Sequence, residues 1–171
     1  RLHVLVEDLL ILSSIEQGEH NGINATTELL TPIVMRALDS CLARAAKRGV
    51  RIDADGVNGL RVRANAPLLE RALVNLLDNA LLYGREGGTV QISAQSDHGV
   101  RIEVIDNGPG IAAEHLSRLF ERFYRVECDS STPGSGLGLA IVKHIVQAHG
   151  GRVSVKSVVG SGTTFTLILP A

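Results

Sequence analysis

Two glycine-rich segments constrain the fold of this 171-residue chain more than any other feature of its sequence. Residues 106–111 read Asp-Asn-Gly-Pro-Gly-Ile and follow an alternating apolar run, whereas residues 134–139 read Gly-Ser-Gly-Leu-Gly-Leu and open a helical apolar run. Glycine lets a ligand or another backbone segment approach closely. Amide groups at a helix start bind phosphates. The ordered pair therefore predicts a nucleotide site with a base end and a phosphate end.

The composition limits the class of protein. The formal net charge is −1, which gives no overall basic field for nucleic acid or anionic lipid. No apolar run approaches the length of about 18 residues that a membrane span needs. Cys41 and Cys128 lack the spacing of a zinc site, so a reducing cytosolic setting is the plain expectation. The sequence starts without Met and is already helical in pattern, which suggests a piece of a longer protein.

Apolar periodicity predicts three core helices and about five main strands, most of them paired as antiparallel hairpins. This outline corresponds to the α/β class, as a two-layer α/β sandwich in which the helices cover one face of a mixed sheet. The helices are expected from Pro32 to about Lys47, over residues 67–83 after the cap Asn65, and over residues 137–149, with a short helical stretch near residues 112–120. The strands are expected over residues 26–30, 50–54, 60–64, 89–95, 100–105, 152–157 and 163–169, with a turn at Asp55-Gly56 between the second and third.

Leucines at positions 2, 5, 9 and 12 have the spacing of a coiled coil or helical bundle. Gly18 and Asn21-Gly22 end this pattern. We therefore expect the end of a dimerisation helix over residues 1–18, a linker over residues 19–25 and one domain over residues 26–171. A helix packed on its own domain is the alternative.

The predicted helix over residues 67–83 carries two asparagines on one polar face. Arg71, Asn75 and Asn79 are four residues apart and therefore line up. Asparagine is a mediocre helix former, so its repeated use favours a functional role. Amide oxygens suit a hard cation such as Mg²⁺. A solvated polar face is the alternative for two isolated asparagines.

Asp106 follows a predicted strand and precedes two glycines. A carboxylate there could accept a hydrogen bond from the amino group of adenine and would repel the carbonyl of guanine. An ordinary Asp-Asn-Gly turn is the alternative. The following Gly108-Pro109-Gly110 is long for a turn and would let a ring approach the backbone.

The second glycine segment is not a Rossmann fingerprint, because its spacing is GxGxG and no apolar strand precedes it. The backbone N–H groups of Gly136, Leu137 and Gly138 should face an anion at the helix start, although a flexible helix start is the alternative. Residues 111–135 should form a lid over the nucleotide. Within this lid, Arg125 is the candidate for a γ-phosphate contact, with a merely exposed arginine as the alternative.

In this order and spacing, the motifs resemble those of the catalytic and ATP-binding domain of bacterial sensor histidine kinases. The resemblance covers about residues 25–170, and residues 1–18 resemble the end of the second helix of the family's dimerisation and phosphoacceptor domain. The matching segments are residues 75–80 with Tyr83 (N box), 106–111 (first glycine box), 120–125 (F box), 134–139 (second glycine box) and 160–165 (a third glycine box).

The resemblance implies the Bergerat ATP-binding fold, with ATP and Mg²⁺ as cofactors. Asn79 would hold Mg²⁺, Asn75 would lie near the phosphates, and Asp106 would bind the adenine amino group. Together with Arg125, the two asparagines would be the catalytic residues. The other expected ATP contacts are Tyr83, Gly108, Gly110, Ile111, Tyr124, Gly134, Ser135, Gly136, Leu137, Gly138, Leu139 and Thr164.

The implied activity is that of a protein histidine kinase in two-component signal transduction. The γ-phosphoryl would pass to a histidine of the dimerisation and phosphoacceptor domain and then to an aspartate on the receiver domain of a response regulator. The resemblance also implies a cytoplasmic domain, a homodimeric parent protein and anchoring of that protein in the bacterial inner membrane. No nucleic-acid partner is expected.

Two features depart from the family pattern. Leu82 stands where the family often has Lys, and none of the six histidines is followed by the Glu/Asp-x-x-x-Pro pattern of the acceptor, so this segment alone is not expected to autophosphorylate. Type II topoisomerases, mismatch-repair proteins and heat-shock chaperones share the implied fold but place a Glu where this chain has Asn75, so slow ATP hydrolysis is expected. A non-catalytic nucleotide-sensing module and an anti-sigma serine kinase are the alternative functions.

Overall fold

The computed structural model describes residues 23–96, 98–126 and 134–170, together with the single residues Val6, Leu9, Leu10 and Ser13. These four single residues are helical, but the rest of the predicted dimerisation helix and most of the linker lie outside the described residues, so the domain division stays a prediction. The elements of the described part are β1 (Thr26–Leu29), α1 (Leu30–Arg48), β2 (Arg51–Gly56), β3 (Arg61–Ala64), α2 (Ala66–Tyr83), β4 (Thr89–Ser96), β5 (Gly99–Asp106), α3 (Ala113–Leu116), α4 (Gly138–Ala148), β6 (Arg152–Val158) and β7 (Gly162–Pro170).

Five strands form one mixed sheet in the order β2-β4-β5-β7-β6. Strand β5 is antiparallel to both β4 and β7, and β6 is antiparallel to β7, whereas β2 runs parallel to β4. Apolar side chains of the sheet and of α1, α2 and α4 share one core, which places these three helices on one face. The predicted two-layer α/β sandwich is confirmed. No helix in the described part of the chain is long and apolar enough to cross a membrane.

The predicted pairing of the second and third strands around a turn at Asp55-Gly56 is wrong. Strand β2 continues to Gly56, and the turn follows at residues 57–59. Strand β3 lies outside the main sheet and pairs with β1 in a separate two-stranded sheet. Val57 in this turn and Val62 in β3 are almost fully buried, so packing into the core decides the path of the chain. The local alternation of apolar residues does not reveal which strands become neighbours.

Helix α2 carries the predicted polar positions Arg71, Asn75 and Asn79, and it buries apolar side chains along another face. The side chain of Asn65 caps the helix by accepting a hydrogen bond from the Leu68 N–H at 3.2 Å, and Pro67 lies in the first turn. This cap satisfies one of the amide groups that a helix start leaves without a partner. The buried residues of the apolar face are Leu69, Ala72, Leu73, Leu76, Leu77, Ala80 and Leu81.

Three arginines of α1 join it to α2, and each partner is 34 residues further along the chain. Arg36 Nε lies 2.7 Å from Glu70 Oε2. Arg44 Nε lies 2.7 Å from Asp78 Oδ1. Arg48 Nη1 donates to the backbone carbonyl of Leu82 at 2.6 Å. A constant offset requires the two helices to lie side by side and run in the same direction. We call these three residues the arginine ladder.

Candidate functional site

One face of α2 contacts both ends of the second glycine segment. Asn75, Asn79 and Tyr83 occupy this face at intervals of four residues. Asn75 Nδ2 donates to the carbonyl of Gly138 at 3.3 Å. Tyr83 Oη lies 3.3 Å from the position that a Cβ atom on Gly134 would occupy. The segment from Gly134 to Gly138 therefore spans the face from Tyr83 to Asn75, and Asn79 lies between these two contacts.

The same segment is held from its other side by the lid. The N–H of Phe123 donates to the carbonyl of Gly136 at 3.0 Å. Gly136 has a φ of +71°, and a Cβ there would lie 2.8 Å from the backbone of Phe123. Only glycine satisfies both the dihedral angle and this close approach. The second glycine segment therefore lies between the lid and the face of α2 that carries Asn75, Asn79 and Tyr83.

The start of helix α4 suits an anion. Leu137 is its N-cap residue, and no side chain of the described residues caps the helix, so no capping side chain competes with an anion for the amide groups of the first turn. One of the three predicted amide donors is already used, because the Leu137 N–H donates to Ser135 Oγ at 3.2 Å. The Leu137 side chain is fully buried and anchors the segment, and Leu139 packs against the same core.

Asp106 ends the central strand β5 and lies opposite Val90 of β4 and Thr163 of β7. Its Oδ1 accepts a hydrogen bond from the Gly108 N–H at 2.8 Å. Burial raises the pKa of Asp106 above its ordinary value, and hydrogen bonds from the backbone of Gly108 and Thr163 oppose this shift in part. Asp106 lies at the end of a strand, as predicted, and this bond to the residue two positions on is the contact of an Asp-Asn-Gly turn. A bond from Asp106 to adenine stays a prediction.

The glycines of the first segment serve contacts within the chain itself. A Cβ on Gly108 would lie 2.6 Å from Asp106 Oδ1 and 3.1 Å from the Cα atom of Gly84, just beyond α2. Gly110 has a φ of +72°, and a Cβ there would overlap the carbonyl oxygen of Val158. That these glycines also admit an adenine ring stays a prediction. The contact with Gly84 brings the first glycine segment to the carboxyl end of α2.

The third glycine segment closes against the first. The Gly160 N–H donates to the Pro109 carbonyl at 2.7 Å, and Arg85 Nη2 donates to the Gly160 carbonyl at 2.9 Å. The N–H of Ile111, where the lid begins, donates to Ser157 Oγ at 2.8 Å. The β6–β7 hairpin therefore holds the first glycine segment and the start of the lid in place.

The structure does not bring Thr164 to the group around Asp106. In β7, Thr164 lies opposite Ile105, whereas Thr163 lies opposite Asp106. Side chains alternate between the two faces of a strand, so Thr163 shares the helix-covered face with Asp106 and Thr164 lies on the other face. Thr163 is buried, and its Oγ1 lies 2.9 Å from Ser157 Oγ. That Thr164 contacts ATP stays a prediction.

Several aromatic and basic side chains of the lid have partners within the domain. Tyr124 Oη lies 2.7 Å from His115 Nδ1, and the Arg118 guanidinium stacks 4.2 Å from the centre of the Tyr124 ring. Arg122 Nη2 lies 3.2 Å from His144 Nε2 on α4. Arg125 Nη1 donates to the Gly134 carbonyl at 3.4 Å, which places this cation at the start of the second glycine segment. Residues 127–133 of the predicted lid, with Cys128, lie outside the described residues.

The candidate metal ligand is an amide rather than a cluster of acids. Within the described residues, no group of three or more His, Cys, Asp or Glu side chains could hold a metal ion. Asn79 fits Mg²⁺ in another way, since this ion keeps several waters and is bound through few protein ligands together with substrate phosphates. Its place one turn from both Asn75 and Tyr83, which contact the second glycine segment, suits that arrangement.

Two structural residues of the site were missed from the sequence. Arg48 of the arginine ladder holds the carboxyl end of α2, and His149 joins the end of α4 to the start of α2. Both act across long separations in sequence. A basic residue before a glycine at a helix end is a weak local signal for Arg48, and the sequence offers no comparable signal for His149.

A family model described as "Histidine kinase-, DNA gyrase B-, and HSP90-like ATPase" matches residues 64–171. The sensor-like histidine kinase SenX3 of Mycobacterium tuberculosis is 41% identical to this chain over 174 residues, which are 100% of this chain and 42% of SenX3. The chain thus spans less than half the length of this curated relative.

Solved structures give the same kind of similarity. The mycobacterial sensor histidine kinase MprB matches with a TM-score of 0.73 and 34% identity, over 85% of this chain and 97% of the MprB chain. Full-length ShkA, solved in complex with AMPPNP, matches with a TM-score of 0.85 and 28% identity, over 99% of this chain and 35% of the ShkA chain.

Proposed function

Since the chain belongs to the histidine kinase-, DNA gyrase B- and HSP90-like ATPase family, as a catalytic domain of the sensor histidine kinases, we propose that it binds MgATP and presents the γ-phosphoryl group to a histidine of a helical dimerisation domain. The observation that carries this proposal is the contact between the face of Asn75, Asn79 and Tyr83 and the glycine segment that starts α4. The AMPPNP complex of the similar protein ShkA supports a nucleoside triphosphate as the ligand.

Each group in the site has a proposed task. Asp106, held by the Gly108 N–H, accepts a hydrogen bond from the adenine amino group and so selects adenine over guanine. The amide groups at the start of α4 bind phosphate oxygens. Asn79 holds Mg²⁺, which would neutralise charge on the phosphates. Arg125, already beside the Gly134 carbonyl, stabilises charge on the terminal phosphate.

Transfer to a side chain rather than to water follows from what the site contains. Asn75 occupies the place where the related ATPases carry a glutamate, and its amide donates to the Gly138 carbonyl instead of activating water. An amide is not a base, so water attack lacks general-base assistance. A neutral histidine imidazole supplies its own lone pair: the new N–P bond forms as the bond from the γ-phosphorus to the bridging oxygen breaks, and ADP leaves.

The partners and the location of the whole protein belong to the same proposal. We infer a homodimeric parent whose dimerisation domain carries the acceptor histidine, and a response regulator whose receiver aspartate takes the phosphoryl group. Named sensor histidine kinases among the relatives support this arrangement. Anchoring of the parent in the bacterial inner membrane, with this domain on the cytoplasmic side, is part of the proposal.

Calorimetric titration tests the nucleotide site. We expect ATP to bind with Mg²⁺-dependent affinity and GTP to bind more weakly. Asp106→Asn should lose the preference for ATP, because the amide places a donor where an acceptor is needed. Asp39→Asn is the matched control, since Asp39 is exposed on α1, outside the site, and undergoes the same change of charge.

Addition of a separately prepared dimerisation domain with labelled ATP tests the transfer itself. The expected product carries an acid-labile label on histidine. A folded wild-type sample that binds no ATP would contradict the proposal and favour a module without catalytic function. ATP binding without any label on histidine would contradict only the kinase step.

A further inference from the structure

Arg48, the last residue of α1, holds the last turn of α2. Its Nη1 donates to the Leu82 carbonyl at 2.6 Å and also to the Leu81 carbonyl, and its Nη2 donates to the Gly84 carbonyl at 3.1 Å. The backbone carbonyl of Arg48 accepts the Gly87 N–H at 2.9 Å. One residue therefore fixes the backbone at both ends of the segment from Leu81 to Gly87.

The carboxyl end of α2 depends on an outside donor. The last carbonyl groups of a helix have no partner within the helix and lie at the negative end of its dipole. Helix α2 has no basic residue in its own last turn. Helix α1 runs in the same direction, so its dipole does not offset that of α2. The planar fork of a guanidinium can serve several carbonyls at once, which a single ammonium group cannot match.

This backbone segment lies where the two glycine segments meet α2. Leu82 Cδ2 and Tyr83 Oη lie 3.9 and 3.3 Å from the position that a Cβ on Gly134 would occupy. The Cα atom of Gly84 lies 3.1 Å from the position that a Cβ on Gly108 would occupy. A small shift of the end of α2 would therefore change the spacing between the base side and the phosphate side of the site.

We propose that Arg48 is a positioning residue for nucleotide binding, which holds the end of α2 at the distance from Gly108 and Gly134 that MgATP requires. Arg48 acts through the carbonyls of residues 81–84 and not by touching the nucleotide. This inference rests on the proposed function of the site. It assigns a task to a residue that lies outside every motif of the sequence.

The arginine ladder supplies a control for Arg48. Arg36 joins α1 to α2 as Arg48 does, but it pairs with the side chain of Glu70 near the start of α2. Arg36→Gln therefore also removes a guanidinium group and weakens the contact between the same two helices, but at a point away from the nucleotide site. A comparison of Arg36→Gln with Arg48→Gln separates the effect of displacing the last turn of α2 from the effect of weaker packing between α1 and α2.

Two measurements test the proposal, both at a temperature where all variants are fully folded. We expect Arg48→Gln to bind MgATP about tenfold more weakly, an effect of about 1.4 kcal/mol. Arg48→Lys should recover part of this affinity, and Arg36→Gln should bind as the wild type does. Without nucleotide, amide hydrogen exchange of residues 82–88 and of Gly108 should be faster in Arg48→Gln than in Arg36→Gln.

The outcomes separate this inference from the function on which it rests. Unchanged exchange in Arg48→Gln overturns the positioning role, whatever the nucleotide affinity. Faster exchange in Arg48→Gln with unchanged affinity for MgATP overturns the role of Arg48 in nucleotide binding. An equal loss of MgATP affinity in Arg36→Gln overturns it as well. Failure of the folded wild type to bind MgATP overturns the proposed function, and exchange then still decides whether Arg48 fixes the end of α2.

Discussion

Leu82 stands where the family often has a lysine, so the surroundings of the second glycine segment lack that positive charge. Its Cδ2 lies 3.9 Å from the Cβ position of Gly134, so a longer basic side chain there would reach the proposed phosphate end. Leu82→Lys should tighten MgATP binding by about two- to tenfold, since a partly exposed ion pair contributes roughly 1 kcal/mol. Calorimetry with Leu82→Gln as the uncharged control measures this effect. Equal affinities for the two variants would mean that residue 82 does not face the phosphates.

Asp106 illustrates the cost of a buried functional carboxylate. Because its pKa is raised in the folded state, the folded protein binds this proton more tightly than the unfolded chain does. Stability is therefore lost as the pH rises from the ordinary aspartate pKa through the raised value. At neutral pH, Asp106→Asn should unfold at the same or a higher temperature than the wild type, while nucleotide selectivity is lost. A clear fall in melting temperature would show that the carboxylate supports the fold itself.

His149 couples the end of α4 to the start of α2. Its Nδ1 lies 2.6 Å from the Ile145 carbonyl oxygen, and its Nε2 accepts the Asn65 N–H at 2.9 Å, so both ring nitrogens are used by a neutral imidazole. Asn65 is also the cap of α2. Protonation at Nε2 would remove the acceptor for the Asn65 N–H. Burial disfavours the charged imidazolium and therefore lowers the pKa of His149. The two helices on either side of the second glycine segment are thus joined through a titratable group.

The pH dependence follows from the lowered pKa. Below the ordinary histidine value near 6.5, the unfolded chain takes up a proton that the folded protein resists, so the free energy of unfolding falls as the pH drops towards the lowered value. Urea unfolding at a series of pH values should show this loss in the wild type and a smaller loss in His149→Gln. His98→Gln, at an exposed histidine, is the control. Identical pH profiles for the wild type and His149→Gln would contradict the assignment.

The contact of the lid with the second glycine segment can be tested with a pair of glycines. Gly136→Ala places a methyl group 2.8 Å from the Phe123 backbone at a φ of +71°, whereas Gly160→Ala meets nothing within 4 Å at a φ of +85°. Both variants carry the dihedral strain of about 1 kcal/mol, and only Gly136→Ala adds a clash. Denaturant unfolding should therefore show a larger loss for Gly136→Ala. Equal losses would mean that the lid moves aside at little cost.

The whole domain is expected to keep ATP away from water and to deliver it to a partner. Without a glutamate at position 75, phosphate release from ATP by this chain alone should be negligible, whereas a supplied dimerisation domain should accept the label. The measurement is release of labelled phosphate with and without that domain. ATP hydrolysis by this chain alone at a rate near that of a dedicated ATPase would contradict the assignment of Asn75. It would favour a function like that of the ATPases with the same fold.

The family and the fold class were both predictable from the amino-acid sequence, and both are confirmed. The five-stranded mixed sheet and the three helices on one face are as expected, and the predicted bounds of α2 agree to within a residue. The reason is that helix caps, glycine stops and apolar periods are local properties of the chain. The contact of Asn75 with Gly138 brings the N box to the second glycine box, although the ligand roles of their residues stay predictions.

The sequence by itself determined which segments become helices and strands, and which motifs a nucleotide site would use. Only the tertiary structure decided that β2 pairs with β4 and not with β3, and that Thr163 rather than Thr164 shares a face with Asp106. It alone decided that Arg48 holds the end of a helix 34 residues further along the chain. Strand neighbours and helix contacts depend on residues that are distant in sequence. A local period indicates which side chains of one strand share a face, but not which strand lies beside it.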